Sequence, residues 1–374
     1  MISRLRITTG LILFFFVFFH LVNLSFGLVS LQAMEEARPI LMGLWSNPLG
    51  GAVLLLCLLI HCGLGLWSLF KRTSFRLTAG DLVQALLGIA IIPLLLPHLM
   101  ATAIGPVISG VQPTFSWILA VYWFYSPELG LQQVLALMVI WIHACYGLFL
   151  WVQVQDWWGR FGSLVYPLAL VVPVAALLGM VEAGKELYER RDDPVLLQAV
   201  EQTSTIYDGV ADSLWTAHDT LLILYALLLA GLILARLIVA ARGRRKVSVS
   251  YDGNPPLSTG SGPNLLEVAR ADGILHASIC GGRGRCGSCA VRVLSGADHL
   301  GAIDDTERAT LARISAGSDI RLACQAVPKT GAVAVERIFP SHISPADFRE
   351  LRDTGRPVEV AATIDERGAA EAGT

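Results

Sequence analysis

Four cysteines stand where their thiolates could converge. Cys280-Gly-Gly-Arg-Gly-Arg-Cys286-Gly-Ser-Cys289 is answered by Cys324 in Arg-Leu-Ala-Cys-Gln, a C-x5-C-x2-C-x34-C spacing. Four thiolates are the full ligand complement of one [2Fe–2S] cluster. Gly281, Gly282, Gly284 and Gly287 let the backbone fold tightly there, so that N–H groups can aim at sulfur. Four cysteines also suit zinc, but zinc sites commonly pair their ligands as two short units, and only Cys286 and Cys289 form one. The spacing therefore favours the cluster.

Histidine supplies a second constellation. His20, His61, His98 and His143 each fall inside a different long apolar stretch. A lone histidine in such a stretch is ordinarily a polar residue at a helix contact. Four of them, one per consecutive stretch, are better explained by function, because ionisable groups in lipid are costly. Neutral imidazole is a standard axial ligand of haem iron, and four would serve two b haems. At ~1.5 Å rise per residue His98 lies roughly 25 Å from the cytoplasmic end of its helix and His61 about 15 Å, which assigns them to different haems. Gly65 and Gly147 follow His61 and His143 by four residues, and Gly27 and Gly105 follow His20 and His98 by seven. Each could leave room on the histidine's own face for a porphyrin.

The elements that must position these groups divide the chain in two. It has 374 residues, 54% of them hydrophobic and 16% charged. A mean hydropathy of +0.59 is too apolar for a soluble protein of this length. Six stretches near 7–31, 50–70, 81–105, 130–152, 162–181 and 214–240 are long enough to cross a bilayer as helices. The first is too long for a signal-peptide core and reads as a retained anchor. Arg4, Arg6, Lys71, Arg72, Arg76, Arg160, Arg242, Arg244, Arg245 and Lys246 fall on one side. The other side has only Arg38, Lys185, Arg190 and Arg191, mostly beside acidic residues. The positive-inside rule then puts the N-terminus and the polar C-terminal part in the cytoplasm of a multi-pass plasma (inner) membrane protein. Cys57, Cys62 and Cys145 lie in apolar stretches and make no disulfide pattern, which fits a reducing compartment for the soluble part. The net charge of −2 gives no support to nucleic-acid binding.

Residues 247–339 resemble a ferredoxin of the β-grasp type. Val-Ser-Val-Ser-Tyr, Ala290-Val-Arg-Val-Leu and Val333-Ala-Val-Glu alternate as strands, and Asn264-Leu-Leu-Glu opens a helix. The long first cysteine gap is closer to the adrenodoxin-type than to the plant-type ferredoxins. Arg6-Ile-Thr-Thr-Gly-Leu and His20-Leu-Val-Asn-Leu resemble the first helix of the cytochrome b anchors of succinate dehydrogenases and fumarate reductases. That resemblance implies that His20 pairs with His98 and His61 with His143, each pair holding one haem b. A sixth span and a fused ferredoxin depart from that family, and no flavin-binding or dicarboxylate-binding segment is visible. The combination is also similar to the front of some bacterial class III adenylate cyclases. Only 39 residues follow Val335, too few for a cyclase domain.

The expected architecture is an all-α six-helix transmembrane bundle over 1–241, an α+β ferredoxin domain over 247–339, and a linker or disordered tail over 340–374. The expected function is electron transfer between the quinone pool, two b haems and a cytoplasmic [2Fe–2S] cluster, with redox sensing as a variant. The alternative is the regulatory module of a cyclase system. Expected partners are the lipid bilayer, quinone or quinol, a soluble redox partner or signalling domain, and a second copy of the chain. No residue is assigned to bond-making catalysis. His218 and Asp219 read as an interfacial polar cap rather than a quinone or proton site. The aromatic segment 112–128 reads as an interfacial stretch rather than a roof over a pocket. His276, His299 and His342 read as surface residues.

Overall fold

The computed structural model describes residues 2–71, 78–155, 157–241 and 246–354. Arg72, Arg76, Arg242, Arg244, Arg245 and residues 355–374 lie outside the described residues.

Among the described residues ten α-helices come first. They are α1 (Ile2–Ser25), α2 (Leu31–Met42), α3 (Pro48–Lys71), α4 (Ala79–Leu99), α5 (Gly105–Ser109), α6 (Phe115–Ala120), α7 (Pro127–Val152), α8 (Trp158–Glu189), α9 (Pro194–Asp208) and α10 (Ala211–Ala241). Among the described residues six helical stretches are long and apolar enough to cross a membrane: Arg4–Leu28, Pro48–Lys71, Ala79–Ser109, Pro127–Val152, Trp158–Glu189 and Ala211–Val239. Their outward faces are apolar, with Leu55, Leu86, Leu170 and Leu227 exposed as lipid-facing side chains would be.

Helix α1 packs on α8 at backbone distance. A Cβ on Gly27 would strike the Gly179 carbonyl, and one on Gly179 would strike the Leu24 carbonyl. Small residues permit this approach where lipid gives helices no hydrophobic reason to associate. Pro93 and Pro97 lie inside α4, and a π-helical turn, Met100–Ile104, follows directly. Such a turn is one of the ordinary places for a helix to bend. It joins α4 to α5, so this span is longer than the apolar run suggests.

The 112–128 segment departs in part from its expectation as an interfacial stretch: Trp123, Phe124 and Tyr125 are exposed, but helix α6 is covered. Phe115, Trp117 and Leu119 of α6 are buried, and the Trp117 ring lies 4.3 Å from that of Tyr207 of α9, tilted by 39°. Glu35 of α2 accepts from the Phe115 N–H. The sequence window carried the aromatics but gave no sign of α2 and α9, which cover them. His218 Nδ1 lies 2.8 Å from Asp219 Oδ1, and its ring lies 5.2 Å from that of Trp215.

The C-terminal part is a small mixed sheet. Its strands are β1 (Lys246–Tyr251), β2 (Leu257–Gly260), β3 (Ala290–Ser295), β4 (Ile320–Leu322) and β5 (Ala332–Arg337), in the order β2-β1-β5-β3-β4. Among the described residues only β1 and β5 pair in parallel. Val247, Val249 and Tyr251 alternate inward along β1, the period of a half-buried strand. Helix α11 (Leu265–Ala271) starts with a capping box between Asn264 and Glu267 and buries Leu265, Leu266 and Val268 on the sheet. Helix α12 (Asp305–Arg313) is capped by Asp304. Each fully buried Leu or Val here is worth about 1.5–3 kcal/mol.

One boundary differs from its expectation. Pro345–Thr354, expected within a linker, is helix α13, and its Phe348 is 4% exposed. Composition hid it because a single apolar anchor among charged residues reads as solvated chain.

Candidate functional site

The cluster loop lies between α11 and β3. Gly281, Gly282, Gly284 and Gly287 adopt φ of +66°, +80°, +66° and +96°. Side chains rarely tolerate that region, so these four glycines are what let the loop close. All four candidate cysteines are buried, none more than 5% exposed. They stand as two pairs. Cys289 Sγ lies 3.2 Å from Cys324 Sγ, and Cys280 hydrogen-bonds Cys286. Among the described residues no three His, Cys, Asp or Glu side chains gather on one point as around a single metal ion. Two pairs suit a group with two irons better than one zinc. A tetrahedral metal with bonds of about 2.3 Å holds its sulfurs ~3.8 Å apart, so small side-chain rotations would admit an iron at each pair.

Donors surround the sulfurs. The Arg285 N–H points at Cys280 Sγ from 3.5 Å, Gln325 Nε2 at Cys324 Sγ from 3.3 Å, and Ser288 Oγ is 3.2 Å from Cys286 Sγ. The Cys280 thiol is held well below its ordinary range, first by the hydrogen bond from Cys286 and then by backbone N–H groups. That favours the thiolate a metal requires. Burial pushes Arg285 down to about 10, aided by the nearby charges of Arg6 and Arg283.

Sequence reasoning missed the supports of this loop. Thr310 Oγ1 of α12 donates to the Gly284 carbonyl over 2.6 Å, and Arg313 donates to the Arg285 and Cys286 carbonyls. Glu307 is 1% exposed and takes Arg321 Nε and Nη2 at 2.8 and 2.9 Å, plus the Leu322 N–H at 2.8 Å. It thereby fixes β4, two residues before Cys324. The Glu307, Thr310, Arg313 spacing marks one helix face, but alone it could not be told from a solvated charged face.

In the helical bundle the structure brings the four histidines together two by two. The rings of His20 and His98 lie 6.0 Å apart, and those of His61 and His143 lie 6.5 Å apart. Two imidazoles on opposite sides of one metal at bonds of about 2 Å have centroids about 6.4 Å apart. Both pairs fit that separation. His61 Nδ1 is 3.2 Å from the Arg6 carbonyl and 3.4 Å from Thr9 Oγ1. His98 Nδ1 is 3.4 Å from the Tyr122 hydroxyl. Such partners on Nδ1 orient an imidazole and leave Nε2 for a metal. His143 Nδ1 is buried without a hydrogen-bond partner among the described residues.

The glycines divide. A Cβ on Gly65 would meet nothing within 4 Å, and one on Gly147 would lie 3.1 Å from Gln84 Nε2. Gly27 instead serves the α1–α8 contact, and Gly105 packs on Tyr207. The glycines that touch the rings of His61 and His143, the inner pair on the ferredoxin side of the bundle, are others. A Cβ on Gly10 would sit 2.8 Å from His61 Cε1, and one on Gly88 3.0 Å from His143 Cε1. They lie on neighbouring helices, where spacing from the histidine within one helix cannot point.

Residues 258–329, which hold the loop and all four cysteines, match the family described as 2Fe-2S iron-sulfur cluster binding domain. The C-terminal domain is a 2Fe-2S ferredoxin domain. A Na(+)-translocating NADH-quinone reductase subunit of Klebsiella pneumoniae subsp. pneumoniae is 36% identical over 107 residues, covering 28% of this chain and 26% of that protein. Its counterpart of the same name from Shewanella denitrificans is 33% identical over 120 residues, covering 32% and 27%. The chain thus spans about a quarter of the length of these curated relatives. The crystal structure of the ISC-like [2Fe-2S] ferredoxin from Pseudomonas putida covers 26% of this ferredoxin-bearing chain and 94% of its own, at 26% identity and a TM-score of 0.23.

Proposed function

We propose that the chain is a membrane-bound electron-transfer protein, a diheme cytochrome b-like bundle over residues 1–241 fused to a ferredoxin domain over 247–339. Cys280 and Cys286 would hold one iron of a [2Fe–2S] cluster, and Cys289 and Cys324 the other. His20 with His98, and His61 with His143, would each hold one haem b. When bound, these groups supply one-electron chemistry between the quinone pool and the cytoplasmic side of the inner membrane. The relatives' name as subunits of a quinone reductase supports the quinone link.

The observation that carries this reading is the pairing of four intramembrane histidines at two separations, 6.0 and 6.5 Å, each suited to a single metal. The residues around them hold the rings: Arg6 and Thr9 hold His61, Tyr122 meets His98, and Gly10 and Gly88 make room. The four cysteines are buried, and the four histidines are half-buried within the bundle.

The test is the visible spectrum of the dithionite-reduced, purified protein, with pyridine haemochrome and iron quantified. Two b haems and two non-haem irons per chain are expected. Iron–sulfur absorbance without haem would refute the diheme reading and return the histidines to helix packing. A redox sensor would use the same groups, and kinetics separates the two roles. A reductase turns over continuously with quinol and an acceptor, whereas a sensor reduces once and stops.

A further inference from the structure

The cluster loop does not face open solvent. It meets the end of the bundle where α1 and α4 begin and α7 ends. Arg283 Nη2, inside the loop, reaches Asp81 Oδ1 of α4 at 3.2 Å. The side chains are 17% and 3% exposed. Gly281, with its positive φ, leaves the space: a Cβ there would strike Arg283 Nη1 and lie 3.5 Å from Asp81 Oδ1. Arg283 Nη1 also donates to the Cys280 carbonyl at 2.9 Å. The ion pair is thus one bond from a cluster ligand.

Two helices join this contact to the inner histidine pair. On α4, Asp81, Gln84 and Gly88 follow at i, i+3 and i+7, a single helix face. Asp81 holds the cluster loop, Gln84 Nε2 donates to the His143 carbonyl at 3.1 Å, and Gly88 lies against the His143 ring. On α7, which carries His143, Gln153 follows the helix end. Its Nε2 donates to the Ile279 carbonyl at 3.2 Å, one residue before Cys280, and its own carbonyl accepts from Arg349 of α13 at 3.0 Å. Phe348 of α13 then packs on Cys280 and Cys286.

We infer that Asp81, Arg283 and Gln153 are positioning residues that dock the cluster loop onto this chain's own α4 and α7. The haem that His61 and His143 would hold, and not a soluble protein, would then be the electron partner served by that face of the ferredoxin domain. This rests on the electron-transfer reading above and narrows it. A soluble partner must use another face of the domain.

Amide hydrogen exchange on the full-length protein in detergent tests the docking, whatever haem it holds. In Asp81→Asn the segments 279–285 and 152–154 should exchange faster by on the order of a hundredfold, the scale of stranding a buried partner charge. Strand β3 should keep its protection. The charge swap Asp81→Arg with Arg283→Asp should restore much of the protection. Arg283→Gln is the second single variant, with iron content confirming that the cluster is retained. Unchanged exchange in Asp81→Asn, or no recovery in the swap, overturns the docking. A protein without haem that still shows these exchange changes refutes the diheme reading and leaves the docking standing.

Discussion

Removing Glu307 should cost the ferredoxin domain far more than a surface carboxylate would. Its carboxylate is almost completely buried, answers two nitrogens of Arg321 and takes the Leu322 N–H. Glu307→Ala leaves Arg321, whose side chain is 10% exposed in the parent, with only its link to the Gly301 carbonyl among these bonds. Stranding one member of a buried ion pair costs about 3–5 kcal/mol. The orphaned Leu322 N–H adds about 1–3 kcal/mol. Small domains carry about 5–15 kcal/mol in all, so a large share of the margin disappears. A urea slope of about 1–1.5 kcal/mol per molar then moves the midpoint by at least ~2 M. The assay is urea unfolding in detergent, followed by visible circular dichroism of the cluster and by protease resistance. The double variant Glu307→Leu, Arg321→Met should regain most of the loss, since two apolar side chains leave no unpaired charge. A midpoint within about 0.5 M of the parent for Glu307→Ala, a threshold set well below the slope-based shift, would refute this account of β4.

Other expectations are simpler to read. His61→Ala and His98→Ala should each remove one of two b haems by pyridine haemochrome, because the two rings belong to different pairs. Gly10→Val should lower b-haem content while Gly65→Ala leaves it unchanged, since Gly10, unlike Gly65, abuts a histidine ring. Cys289→Ser should abolish the iron–sulfur absorbance, whereas Cys57→Ser in α3 should retain it. His276 is lowered from 6.5 to about 4, chiefly by burial. The unfolded domain therefore binds the extra proton first as pH falls from about 6.5 to 4. Stability should be full above that window and drop by up to about 3 kcal/mol across it. His276→Gln should flatten the slope in urea midpoints taken between pH 4 and 7.

The cysteine loop was legible because it draws three of the four candidate cysteines and its glycines from one short stretch. The six apolar runs were legible for a related reason: a bilayer demands length and hydropathy of each helix separately. What sequence could not give was anything settled between elements. Gly10 and Gly88 touch rings on other helices, and Gly27, assigned to porphyrin space by its offset from His20, is taken up by Gly179. Tyr122 lies in a stretch read as interfacial, yet its hydroxyl meets His98 of another helix. His276 read as a surface residue, but its ring stands edge-on to buried Tyr251 at 5.9 Å. Phe348 was one apolar residue in a charged tail, and nothing local announces that it covers a cysteine pair.

Helix α10 exposes Leu224, Leu227, Ile233 and Leu234 and runs to Ala241, and β1 begins at Lys246. The ferredoxin domain is therefore leashed by one helix and docked on two others. A leash of this length turns docking into a unimolecular event, with an effective concentration on the order of millimolar for a short connection. Dilution cannot release the domain, and soluble ferredoxin added in trans would have to reach that concentration to compete. The contact can accordingly be weak in binding terms and still be made most of the time.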